Sequence, residues 1–119
     1  MPPDRRDMSY LYDILDTARA AVGFLEERRF EDLLSDRMLR SAIERSIEIV
    51  GEAARRLSQE TRDGLPDIPW KAMIGLRNVL AHEYDEIRYE IIWKVCKTDL
   101  PALVSRLEAF GVDRPPVAE

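Results

Sequence analysis

Residues 36–59 read DRMLRSAIERSIEIVGEAARRLSQ. The apolar positions in that stretch, Leu39, Ile43, Ile47, Val50, Ala54 and Leu57, recur every three or four residues. That period marks one face of an α-helix; a strand would alternate. The spacing predicts a helix from about Asp36 to Gln59, with Ser35 or Asp36 placed to cap its free amides. Gly51 lies deep inside it, where glycine costs about 1 kcal/mol relative to alanine. It either lets another helix come close or is a tolerated surface residue. A helix with one apolar stripe must bury that stripe, so partners of the same kind must lie elsewhere in the chain.

They do. Upstream, Leu11, Ile14, Leu15, Ala18, Val22 and Leu25 repeat the pattern and predict a helix from about Met8 to Arg28. Downstream, residues 60–69 hold two prolines and a glycine and read as a loop. Pro69 suits the first turn of a third helix, about Trp70 to Ala81, with Asp67 as a possible cap. A fourth helix begins near Asp85 or Glu86 and carries Ile87, Ile91, Ile92 and Val95 on one side. Pro101 either kinks it or starts a fifth helix capped by Thr98 or Asp99, and Leu100, Leu103, Val104 and Leu107 continue the stripe. No segment reads as a strand. The expected architecture is all-α: an antiparallel up-and-down bundle of four to five helices, one domain over residues 1–111, then a loose tail over 112–119.

Composition supports this. Of 119 residues, 45% are hydrophobic and 34% charged, enough of the former for a core and too few of the latter for a disordered chain. Cys96 is the only cysteine, which leaves no intrachain disulfide and fits a reducing compartment. No apolar stretch follows the first residues as a signal peptide would, and none approaches a membrane span, so a cytoplasmic protein with no membrane partner is expected. The formal net charge of −5 counts against a broad nonspecific nucleic-acid surface. It leaves room for a local basic cleft built from Arg37, Arg40, Arg45, Arg55, Arg56, Arg62 and Arg77. Most of these read as a solvated face paired with glutamates, as in Arg40–Glu44 and Glu52–Arg56 at i,i+4 spacing.

The third helix breaks its own pattern. At about 100° per residue, Trp70, Met73, Ile74, Leu76, Leu80 and Ala81 form one apolar arc, and Lys71, Gly75, Asn78 and His82 lie opposite. Arg77 falls inside the apolar arc, where a charge is costly unless it is paired or faces a ligand or a subunit. It reads either as an ion pair to Glu52 or Glu48 that pins two helices or as an arginine held in a cleft. His82 is the only histidine. A fixed cation for a phosphoryl oxygen and a group that moves protons near neutral pH are what phosphate chemistry without a metal requires. Five residues of regular helix turn by about 140°, so Arg77 and His82 share a cleft only if the helix ends between Leu80 and His82 or if two chains build the cleft. One histidine and one cysteine far apart make no zinc site, and there is no phosphate-binding glycine loop or nucleophile elbow.

Counting points the same way. RNA cleavage by the 2′-hydroxyl uses a base on one side and an acid on the other. One histidine per chain supplies both only in a twofold dimer, unless Tyr84 or water takes one role. Tyr84 otherwise reads as a ring packed in a turn, and Asp85 and Glu86 as caps for the next helix.

Taken together, Arg77, His82 and Tyr84 in the pattern Arg-x4-His-x-Tyr resemble the signature of the HepT family of HEPN-domain toxins. The resemblance extends over IEIVGEAA (47–54), IPW (68–70), GLRNVLAHEYD (75–85) and the segment 92–103. It implies a dimeric helical bundle with the Arg-His motifs near the twofold axis and a metal-independent endoribonuclease that needs no cofactor. It further implies the toxin of a toxin–antitoxin pair, silenced when a nucleotidyltransferase antitoxin transfers AMP to Tyr84. In that reading Arg77 stabilises the phosphate, His82 moves protons, and Asn78 orients His82 or binds phosphate. Two rivals stand beside it: a non-catalytic module that docks to and is modified by the nucleotidyltransferase, and a purely structural helical dimer.

Overall fold

The computed structural model describes residues 2–82 and 87–114 and contains no strand among them. Two long helices, α1 (Arg5–Phe24) and α3 (Arg37–Arg56), flank a short α2 (Phe30–Ser35). A one-turn α4 (Gln59–Asp63) leads to α5 (Trp70–His82). The last arm is α6 (Tyr89–Lys94), a π-helical turn (Val95–Asp99) and α7 (Leu100–Phe110). α3 packs on both α1 and α5, and α1 also packs on α7. The bundle is therefore all-α and HEPN-like, with α3 at its centre.

The apolar stripes read from the sequence meet in one core. Leu11, Ile14, Leu15 and Ala18 of α1, Ile43 and Ala54 of α3, and Leu107 of α7 have no exposed surface, and Leu39, Ile47, Val50, Leu100 and Leu103 are buried beside them. Each such Leu or Ile contributes roughly 1.5–3 kcal/mol relative to exposure. Asp36 caps α3, its Oδ1 accepting from the Leu39 N–H at 3.1 Å.

Several local expectations are corrected. Residues 60–69 are not all loop: Gly64, Pro66 and Pro69 come after Asp63, so Ser58 is free to cap a turn of helix before them. α2 was not anticipated from the sequence; six residues with only Leu33 fully buried carry too little periodicity. Pro101 stands in the first turn of α7, as one of the two readings had it, but Asp99 makes no side-chain cap there. The helix instead widens by a π turn, in which the Leu100 N–H reaches back to the Val95 carbonyl. The wider turn relieves the clash that proline causes with the carbonyl four residues earlier. Asp67 does not cap α5 but accepts from Arg106 Nε at 2.6 Å, tying the loop to α7. Arg40 donates to the Leu34 carbonyl rather than pairing with Glu44, which accepts from the Tyr89 hydroxyl. The expected start of the fourth helix at Asp85 or Glu86 lies outside the described residues. Past Gly111, whose φ of 92° ends α7, Val112 is buried and Arg114 lies over the Tyr12 ring.

Candidate active site

α5 carries Arg77, Asn78 and His82, and its ends are fixed first. Trp70 is buried, and its Nε1–H donates to the carbonyls of Arg62 and Leu65 at 3.2 and 3.1 Å. Leu80 is buried at the other end, while Met73, Ile74, Leu76 and Val79 between them are only partly covered. The predicted apolar arc is thus present, but the rest of the chain covers it incompletely.

Gly51 decides how α5 meets α3. A Cβ on Gly51 would overlap the Cβ of Arg77 and come within 2.9 Å of Arg77 Cγ and of the Met73 carbonyl oxygen. The close approach foreseen as one reading of Gly51 is the one observed. It lays the Arg77 stem across α3, so that its guanidinium reaches Glu52 at 3.4 Å while Nη1 donates to Asn78 Oδ1 at 3.0 Å. Glu52 also accepts from Arg55 at 2.7 and 3.2 Å and from Arg56 at 3.0 Å. Those hydrogen bonds, with the charge of Arg77 added, hold its carboxyl down to about 2. One carboxylate among three guanidiniums leaves the cluster positive. Arg77 is therefore both an interhelical ion pair and, with 27% of its side chain exposed, a cation open to a ligand.

A cavity of about 290 Å³ opens beside it, between α1, α3 and α5. Tyr10 and Asp13 of α1 and Arg45, Glu48 and Arg56 of α3 share its wall with Arg77. The Tyr10 hydroxyl accepts from Arg6 Nε at 3.4 Å, and hydrogen bonding by Arg6 and then Arg56 draws the phenol below its ordinary value. Sequence reasoning did not single out Tyr10 or Asp13. The only signal was their place, with Arg6, at i,i+4,i+7 on the polar side of α1.

His82 is the last described residue of α5 and is exposed. The helix does not end between Leu80 and His82; it runs regularly through His82. About 140° then separates His82 from Arg77, and His82 is not among the residues around the Arg77 cavity. Within this chain the two are not brought together. Asn78 lies within about 40° of His82 on the open face, with its oxygen engaged by Arg77. Tyr84 lies outside the described residues. Cys96 offers no alternative nucleophile, since burial pushes its thiol up to about 12.

Comparison with known proteins now adds the family context. A family described as ribonuclease HepT-like matches residues 14–110. The "Putative RNase MJ1380" of Methanocaldococcus jannaschii is 38% identical over 105 residues, covering 87% of this chain and 96% of that protein. The "Probable ribonuclease HepT" of Thermococcus cleftensis is 34% identical over 104 residues, 87% of this chain and 94% of its own length. The "Putative RNase TTE0752" of Caldanaerobacter subterraneus is 35% identical over 99 residues, 83% and 88% of the two chains. No solved structure matches.

Proposed function

Because the chain belongs to the HepT-like ribonuclease family, we propose that it is a cytoplasmic, metal-independent endoribonuclease whose active cleft is assembled from Arg77 and His82 across a homodimer. The observation that supports this reading best is the state of α5. Its arginine is held in a positive cluster, its histidine stands on the open face, and its apolar arc is only half covered. A twofold partner lying along the exposed Gly75, Asn78 and His82 stripe of α5 would reach the partly covered Val79 and Leu76 on the flank of that arc and bring a second motif to the same cleft.

The geometry suits transesterification. Glu52 and Asn78 fix the Arg77 guanidinium before substrate arrives, so it stabilises charge growing on the phosphoryl oxygens without reorganisation. His82 takes the proton from the ribose 2′-hydroxyl as that oxygen attacks phosphorus. The bond to the 5′-oxygen breaks, and the second protomer's histidine returns a proton to it. The products are a 2′,3′-cyclic phosphate and a 5′-hydroxyl. The same reading makes the protein the toxin of a toxin–antitoxin pair. A nucleotidyltransferase antitoxin would transfer AMP to Tyr84, adding bulk and negative charge where RNA must approach.

Purified full-length protein incubated with RNA in EDTA tests this. Cleavage is expected to persist in EDTA and to fall at least about a hundredfold in Arg77→Ala and in His82→Ala. Because His82 is exposed, His82→Ala should unfold at the wild-type temperature. Undiminished cleavage by that variant overturns the assignment. No cleavage by unmodified wild type that a nucleotidyltransferase still adenylylates at Tyr84 leaves the docking module instead.

A further inference from the structure

The cavity beside Arg77 holds polar groups that the transesterification does not use. Among the described residues, no hydrogen bond or ion pair engages the carboxylates of Asp13 and Glu48 or the guanidinium of Arg45. Unpaired acceptors and donors walling one concavity are poised for a ligand that presents both. At about 290 Å³ the cavity lies at the small end of ligand pockets, roughly 300–1,000 Å³, and suits a planar ring system. Tyr10 adds an aromatic wall, the feature on which single-stranded RNA bases stack.

From these groups we propose that the cavity is a base subsite that takes a guanine of the RNA chain next to the phosphate held by Arg77. The assignment rests on the ribonuclease reading for its substrate. Carboxylates only accept and guanidiniums only donate. Guanine offers two adjacent donors, N1–H and N2–H, to one carboxylate of Asp13 or Glu48, and two acceptors, O6 and N7, to Arg45. Uracil sets a carbonyl on each side of its single donor and would turn an oxygen toward a carboxylate.

Two measurements on the full-length protein test this. In titration calorimetry, guanosine 3′-monophosphate should bind about tenfold or more tighter than uridine 3′-monophosphate. The double variant Asp13→Asn, Glu48→Gln should bring the two within about twofold, and Arg77→Ala should weaken both while keeping their ratio. In cleavage of RNAs that differ only at the base beside the cut, wild type should favour guanine and the double variant should not. Equal binding of the two nucleotides, or a ratio unchanged in the folded double variant, overturns the subsite. Cleavage without base preference sinks it and leaves the ribonuclease standing. Guanine-selective binding without any cleavage does the reverse.

Discussion

Alanine at position 51 would gain about 1 kcal/mol in helix propensity over glycine. Its Cβ would also collide with Arg77 Cβ and press on the Met73 backbone. Neither neighbour is the far end of a flexible chain, so α5 itself must move. Overpacking of that kind costs roughly 1–3 kcal/mol, at the upper end here, and outweighs the gain. Gly51→Ala should lower the melting temperature by roughly 4–10 °C and reduce cleavage further than stability alone explains, because Arg77 leaves Glu52. A variant with a raised melting temperature would show that α5 does not lie this close. The oddity of Arg77 was legible in the sequence because a charge stood in an apolar arc, and Gly51 because a glycine sat deep in a helix. The choice of Glu52 over Glu48 was not legible, since both project from neighbouring turns of α3 and only the packing of α5 selects one. Tyr10 and Asp13 were invisible for a related reason: nothing local ties a residue of α1 to one more than sixty positions away.

α5 presents a second glycine whose meaning is the opposite. Nothing lies within 4 Å of where a Cβ on Gly75 would stand, and Lys71, Asn78 and His82 share its exposed stripe. Within one protomer a large residue is harmless there and helps the helix. Across a dimer packed on this face it clashes. Gly75→Arg should therefore stay folded, dissociate into monomers on gel filtration with light scattering, and lose cleavage. A dimeric and active Gly75→Arg would place the twofold contact elsewhere. The long elements α1, α3 and α5 were readable because each repeats an apolar stripe over three turns or more. α2 and α4 were not, because one turn held by a cap or a single buried leucine leaves almost no periodic signal. The widened turn before Pro101 depends on how the rest of the helix packs, which the proline alone does not specify.

The whole bundle is held at its acidic groups as well as its core. Asp7 is buried in the first turn of α1 and accepts from the Ser58 N–H at 3.2 Å, the Ser58 hydroxyl at 2.5 Å and the Thr61 hydroxyl at 2.6 Å, joining α1 to the start of α4. Burial pushes its carboxyl up, but the hydrogen bonds from Ser58 and Thr61 outweigh that and leave it below its ordinary value. Glu52, joining α3 to α5, is drawn down to about 2. Both folded values lie below the unfolded ones, so both groups bind protons more readily in the unfolded chain. Their stabilisation is complete above the ordinary carboxylate range, near pH 4, and drains away as pH falls through the folded values. Asp7→Asn should cost on the order of 2 kcal/mol at pH 7, where it removes a charged acceptor from two hydroxyls and an amide. In thermal melts from pH 7 to pH 2.5, the gap between wild type and Asp7→Asn should hold steady to about pH 5 and then close, because wild type loses the charge that the variant never had. A gap that stays constant to pH 2.5 would mean that the Asp7 carboxyl titrates alike in both states. In that case the protonated Asp7 carboxyl would join α1 to α4 as well as the carboxylate does.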